Sequence, residues 1–204
     1  MHCHPENREK QQYWQAVAAR KADADAQDSL VDIVVEVLER ECQINDGDLA
    51  QRTTRTSFDA ERVPGLSLRE FVERIKCFSG ASSCSFVLAA SYLNTLQRLD
   101  ATYRPTILNV HRLMLAAVLV ASKFVDDKFS TNKYWAKVGG VSLAELNRLE
   151  LEFLLLVKFN LHTKREDYDH FVEELRERHQ HLQTANSVHE PAAVPHPTRV
   201  SVCT

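Results

Sequence analysis

Leu113 to Leu161, LMLAAVLVASKFVDDKFSTNKYWAKVGGVSLAELNRLELEFLLLVKFNL, is two apolar helical runs joined by a short aromatic segment that ends in Gly139-Gly140. A lysine, Lys123, closes the first run and a glutamate, Glu150, interrupts the second, where a helical core should hold neither. Desolvating an unpaired charge costs on the order of several kcal/mol, so each group is expected at the rim of a patch that another surface completes. A partner protein is the simplest such surface.

Helices extend outward from this stretch in both directions. Upstream, Asn109 can cap the first run, whose centre is apolar on every side, as in a helix surrounded by others. Ser82 or Ser83 can start a helix with Phe86, Ala89, Ala90, Leu93 and Leu96 inward. Before it, Ser67 with Glu70 has capping-box spacing, Leu66 with Phe71 is spaced as a hydrophobic staple, and Leu68, Phe71, Val72, Ile75 and Phe78 form a stripe that stops at Gly80. Thr131 or Asn132 can cap a short helix carrying Tyr134 and Trp135 as core plugs, and Ser142 with Glu145 gives another capping box. Five helices therefore fill residues 67–159. A further amphipathic helix is expected at 29–42, with Ser29 and Asp32 at its start and Leu30, Ile33, Val34, Val37 and Leu38 as its stripe. Another should run from Thr163 to about Arg178, with Tyr168, Phe171, Val172 and Leu175 inward. Between the helix at 29–42 and this main body, residues 43–65 are rich in Asp, Thr and Arg and read as an exposed connection.

The 204 residues, 44% hydrophobic and 26% charged, suit one all-α domain over 28–180 with polar ends: an N-terminal segment at 1–27 and a disordered tail at 181–204. A frayed helix over Tyr13–Ala26 is all that the N-terminal segment suggests. The net charge of -3 provides no general attraction to phosphate backbones, so nucleic acid is not an expected partner. The longest apolar stretch, Leu113–Ala121, falls well short of the roughly 20 residues that a membrane span needs. Five cysteines without a CxxC pair, no secretory signal and an acid-containing N-terminal segment direct the expectation to cytoplasm or nucleus.

Five consecutive helices with a nearly all-apolar third, followed by Ala-Ser-Lys-Phe at 121–124 and Arg-Leu-Glu at 148–150, resemble the cyclin box. Thr131–Glu150, TNKYWAKVGGVSLAELNRLE, is similar to the P/U-type cyclins, the branch with regulators of phosphate-responsive kinases. The resemblance covers roughly residues 65–162. It implies a box without catalytic groups that docks on a cyclin-dependent protein kinase and pushes the kinase's mobile glutamate-bearing helix into the active arrangement. Lys123 and Glu150 match the family's kinase-contacting lysine and glutamate, and Phe159 matches an aromatic position that packs nearby. The spacing of Arg112, Ala116, Leu119 and Lys123 puts two cations on one helix face, which suggests a groove for another helix. Asp126-Asp127 suggests an acidic contact for an arginine of the kinase's activation segment. The helix SLREFVERIKCF lacks the Met-Arg-Ala-Ile-Leu motif and the tryptophan of mitotic cyclins, so their Arg-x-Leu substrate groove is not expected.

Other chemistries find less support. Among the nine histidines, the two clusters His2-Cys3-His4 and His179 with His181 fall in tails without four-ligand zinc spacing, so no metal or other cofactor is expected. Asp126-Asp127 lacks the third aspartate of DDxxD, which is replaced by Ser130, so a prenyl-diphosphate enzyme and its small-molecule substrate are disfavoured. Gly139-Gly140 is surrounded by neither GxGxxG nor GxxxxGK and reads as a helix stop. A nucleic-acid-associated cyclin fold and an adaptor that has lost kinase binding are the alternatives to a kinase regulator.

Overall fold

The computed structural model describes residues 26, 28–47 and 54–187. Seven α-helices appear among them, with no strand: α1 (28–46), α2 (Leu68–Ser79), α3 (Ser83–Leu99), α4 (Val110–Val125), α5 (Asn132–Gly139), α6 (Leu143–Leu156) and α7 (Arg165–Ser187). A short 3-10 turn, Ala101–Tyr103, follows α3. No described helix is long and apolar enough to cross a membrane.

The middle of the chain forms a shell around α4, which packs against α2, α3, α5 and α6. Every residue of α4 from Leu113 to Ser122 is buried, in keeping with its all-round apolar sequence. Local signals set the boundaries. Ser67 accepts from the Glu70 N–H while the Glu70 carboxylate accepts from the Ser67 N–H, a complete capping box, and Gly80 ends α2 in the left-handed conformation. Ser82 caps α3 by accepting from Ser85 N–H, and Thr131 caps α5 by accepting from Tyr134 N–H. Gly139 permits the close approach of α5 to α4, because a Cβ there would lie 2.4 Å from Leu115 Cδ2.

Around this shell, α1 lies along α2, α3 and α7. Asp28 accepts from Ser83 Oγ and pairs with Lys76, Arg69 reaches Asp32 and Glu36, and Arg178 and His179 of α7 reach Glu41 and Glu36. Under these polar contacts Leu30, Val34, Val37 and Leu38 of α1 share the core with Phe171, Val172 and Leu175 of α7. Asn45 Nδ2 donates to Pro105 O and Asp46 accepts from Ile107 N–H, tying the end of α1 to the entrance of α4.

Several expectations need correction. Residues 26 and 28 are already helical, so Ser29 lies inside α1 and does not cap it. The segment at 43–65 is more than an exposed connection: α1 uses 43–46, and Phe58 is fully buried, packed edge-on against Tyr103 and Phe153 at ring-centroid distances of 6.1 and 6.5 Å. Asn109 does not cap α4; its side chain accepts from Thr106 N–H and donates to Arg104 O, closing the preceding turn. Phe78 and Tyr134, read as inward, are exposed, while Trp135 is buried. Helix α7 continues to Ser187, so residues 181–187 are helical where a disordered tail was expected. The remainder of that tail, 188–204, and the 13–25 part of the expected N-terminal helix lie outside the described residues.

Candidate docking site

Helices α4 and α6 are joined by two ion pairs, one near each end of α4. Near its C-terminal end Lys123 Nζ donates to Glu150 Oε1 at 2.5 Å. The lysine side chain is 28% exposed and the glutamate 15%, so the pair is shielded without being sealed. The other oxygen of the carboxylate, Oε2, accepts from Asn132 Nδ2 at 2.6 Å, and the same amide donates to Asn147 Oδ1 at 2.8 Å. Three helices thus meet on one carboxylate: α4 through Lys123, α5 through Asn132, and α6 through Glu150 itself. The two charges singled out in the sequence thus pair with each other, and the amide that completes the pair is one that sequence reasoning missed. Its signal is masked because Asn132 stands beside Thr131 and reads as an alternative cap for α5.

Exposed apolar side chains flank the pair on both helices. Phe124 and Val125 follow Lys123, and Leu151 and Leu155 follow Glu150 on the solvent side of α6. Phe129 in the α4–α5 connection is exposed as well. Just past α6, Lys158 and Phe159 both take positive φ values of 54° and 56°, a conformation that costs non-glycine residues roughly 1–2 kcal/mol each. The turn they make leaves Phe159 exposed, with its N–H on Leu154 O. Phe159, the aromatic position singled out by the resemblance, is thus on the surface of the free chain. Scattered exposed apolar residues are ordinary, but several around one partly buried ion pair make a face that water solvates poorly.

The N-terminal end of α4 is different. Arg112 pairs with Glu145 at 2.7 Å and donates to the carbonyl oxygens of Ser57 and Asp59 at 3.4 and 3.1 Å. Its guanidinium is therefore engaged inside the molecule, stapling the 54–62 segment and α6 to α4. Glu145 gives up half of its expected capping box for this: its N–H reaches Ser142 Oγ, while its carboxylate goes to Arg112. Ala116 and Leu119, the residues between the two cations, are fully buried, and α6 lies over this face. No open groove runs from Arg112 to Lys123, because this chain's own helix fills it.

The acidic doublet divides in the same manner. Asp126 Oδ2 accepts from Ser82 N–H and from Ser85 Oγ at 3.2 and 2.9 Å, joining the end of α4 to the start of α3. Asp127 is exposed. Of the residues nominated from sequence, Lys123, Glu150, Asp127 and Phe159 remain at the surface, whereas Arg112 and Asp126 serve the fold.

The Cyclin family model matches residues 10–161 of the chain. Among curated relatives, Cyclin-U4-1 of Arabidopsis thaliana is 31% identical over 172 residues, covering 80% of this chain and 83% of that protein. Cyclin-U4-3 of the same plant is 34% identical over 152 residues, 71% of this chain and 69% of the relative. Cyclin-P2-1 of Oryza sativa subsp. japonica is 39% identical over 140 residues, 65% of this chain and 63% of the relative. The matched region spans from about half to about four fifths of such relatives' own lengths. The all-helical shell around α4 and the sequence relationships agree: this chain belongs to the cyclin family, as a cyclin-box protein of the P/U type.

Proposed function

We propose that this protein is a regulatory subunit of a cyclin-dependent serine/threonine protein kinase and docks on it through the open end of the α4–α6 seam. The observation that carries this reading is the partly exposed Lys123–Glu150 pair among the exposed apolar side chains Phe124, Val125, Leu151, Leu155 and Phe159. Covering those side chains supplies the driving force, at roughly 25 cal/mol per Å² of apolar surface removed from water. The pair supplies direction. Lys123 retains donors for partner carbonyls, and the carboxylate retains lone pairs that can accept from the N–H groups of a docked helix end.

Activation then follows from binding preference. A kinase whose active helix position is rarely occupied is shifted toward it only as far as this protein binds that form more tightly, and the catalytic groups are the kinase's own. Cytoplasm or nucleus is the proposed place of action, in cell-cycle or nutrient-responsive control; the thiols of Cys42, Cys77 and Cys84 are all unpaired, which suits a reducing compartment. The test uses a panel of recombinant cyclin-dependent kinases and the double variant Lys123→Ala with Glu150→Ala. Retained helical circular dichroism with lost pull-down and lost kinase stimulation is expected. Unchanged binding by the folded double variant would refute the docking site.

A further inference from the structure

The carboxylate of Glu150 is held on both oxygens, and one of the holders is neutral. A carboxylate can only accept, so the Asn132 amide must turn its NH₂ toward Glu150, and its second hydrogen is taken by Asn147 Oδ1. Asn132 Oδ1 makes no hydrogen bond among the described residues. Capping of α5 does not need this side chain, since Thr131 performs it. Helix α5 is itself held firmly: Trp135, Ala136 and Val138 are buried, Gly139 lies against Leu115, and Arg74 of α2 donates to Lys137 O. Asn132 is therefore an amide on a rigid support, aimed at the one carboxylate whose direction matters for docking.

From this geometry we infer that Asn132 is a positioning residue for the docking pair. It fixes the Glu150 carboxylate in one orientation without neutralising it, so that Lys123 keeps a single bond to the pair and its remaining N–H groups point outward. A cation at position 132 would compete with Lys123 for the carboxylate, and an apolar residue would leave Oε2 free to swing toward Lys123 and draw the ammonium inward. The neutral donor avoids both. This inference rests on the kinase-docking reading of the same pair, and it adds a residue on a third helix that tunes that contact.

The test combines a readout on the free protein with one on the complex. In the free chain, the ¹⁵N signal of the Lys123 ammonium is followed by NMR, since an immobilised ammonium exchanges slowly enough to be seen. In the complex, affinity for the tightest-binding recombinant kinase of the panel is measured. Asn132→Leu is expected to sharpen and shift the Lys123 signal, as the ammonium is drawn onto both carboxylate oxygens, and to weaken binding about tenfold, with an unchanged thermal midpoint. Asn132→Asp sets a second carboxylate against Glu150 and should weaken binding further. Combining Asn132→Asp with Glu150→Gln exchanges the two groups, restoring the hydrogen bond and the ammonium signal but not the affinity, because the charge then projects from α5.

Wild-type affinity and a wild-type Lys123 signal in Asn132→Leu would overturn the inference. So would a fall in thermal midpoint large enough to account for the lost binding, or recovered affinity in the exchanged variant. The Lys123→Ala, Glu150→Ala double variant run alongside separates the two readings: if it binds normally, the docking site fails, and the NMR arm alone decides whether Asn132 orders the pair.

Discussion

The two ends of α4 use the same chemistry for different purposes. At each, a cation of α4 meets a glutamate of α6, and the two pairs are similarly shielded: Arg112 and Glu145 are 27% and 24% exposed, Lys123 and Glu150 28% and 15%. Burial therefore does not separate them. Their surroundings do. Arg112 has two backbone carbonyls of the 54–62 segment as additional acceptors, and that segment covers it while Phe58 locks into the core beneath. Lys123 has no acceptor besides Glu150 among the described residues, and the side chains around it are apolar and exposed. An ion pair whose hydrogen-bonding capacity is used up holds a fold together, and one with capacity left over is available to a partner.

This contrast makes substitutions at the closed end move stability and those at the open end move affinity. The largest stability effect is expected from Phe58→Ala, which opens a cavity between Tyr103 and Phe153 and should cost about 3–5 kcal/mol in chemical denaturation. The folded fraction should still bind a kinase. Arg112→Ala comes next: it strands Glu145 and two carbonyls without their donor, for a loss of about 1–3 kcal/mol. An affinity change with unchanged stability in that variant would break the contrast, since Arg112 would then be a docking residue after all.

A smaller effect should follow pH. His111, next to Arg112 at the closed end, is buried; desolvation pushes its pKa below the ordinary histidine value, against an opposing hydrogen bond to Leu66 O. Because the folded value is depressed, the unfolded chain takes up the proton first. The stabilisation is complete above the unfolded pKa of about 6.5 and is lost as pH falls through the folded value. Denaturation midpoints should therefore drop between about pH 7 and pH 5. His111→Gln should flatten that dependence.

What the sequence made legible was local. Four of the five box helices could be read from their own caps and stripes and α4 from its all-round apolar run, and Lys123 and Glu150 stood out because a charge in an apolar run is conspicuous. Phe58 did not stand out, because its neighbours are Thr, Ser, Asp and Arg and a single aromatic residue has no periodicity. Phe78 failed in the opposite sense: it fits the α2 stripe, yet lies at the helix end where nothing covers it, and stays exposed. The shared face of Arg112 and Lys123 was read correctly, but what covers that face depends on where α6 crosses, which no local pattern reports. The contacts of Asp126 and Asn132 were missed for the same reason, since both act across helix boundaries, on α3 and α6 respectively.

The most direct measurement is a titration of one recombinant cyclin-dependent kinase against two folded double variants in parallel, each with its thermal midpoint recorded. For Lys123→Ala with Glu150→Ala, affinity should fall at least a hundredfold, about 2.7 kcal/mol or more, with little change in midpoint. For Arg112→Ala with Glu145→Ala, the midpoint should fall while affinity holds. The reverse assignment, or equal effects of the two variants on affinity, would contradict the account.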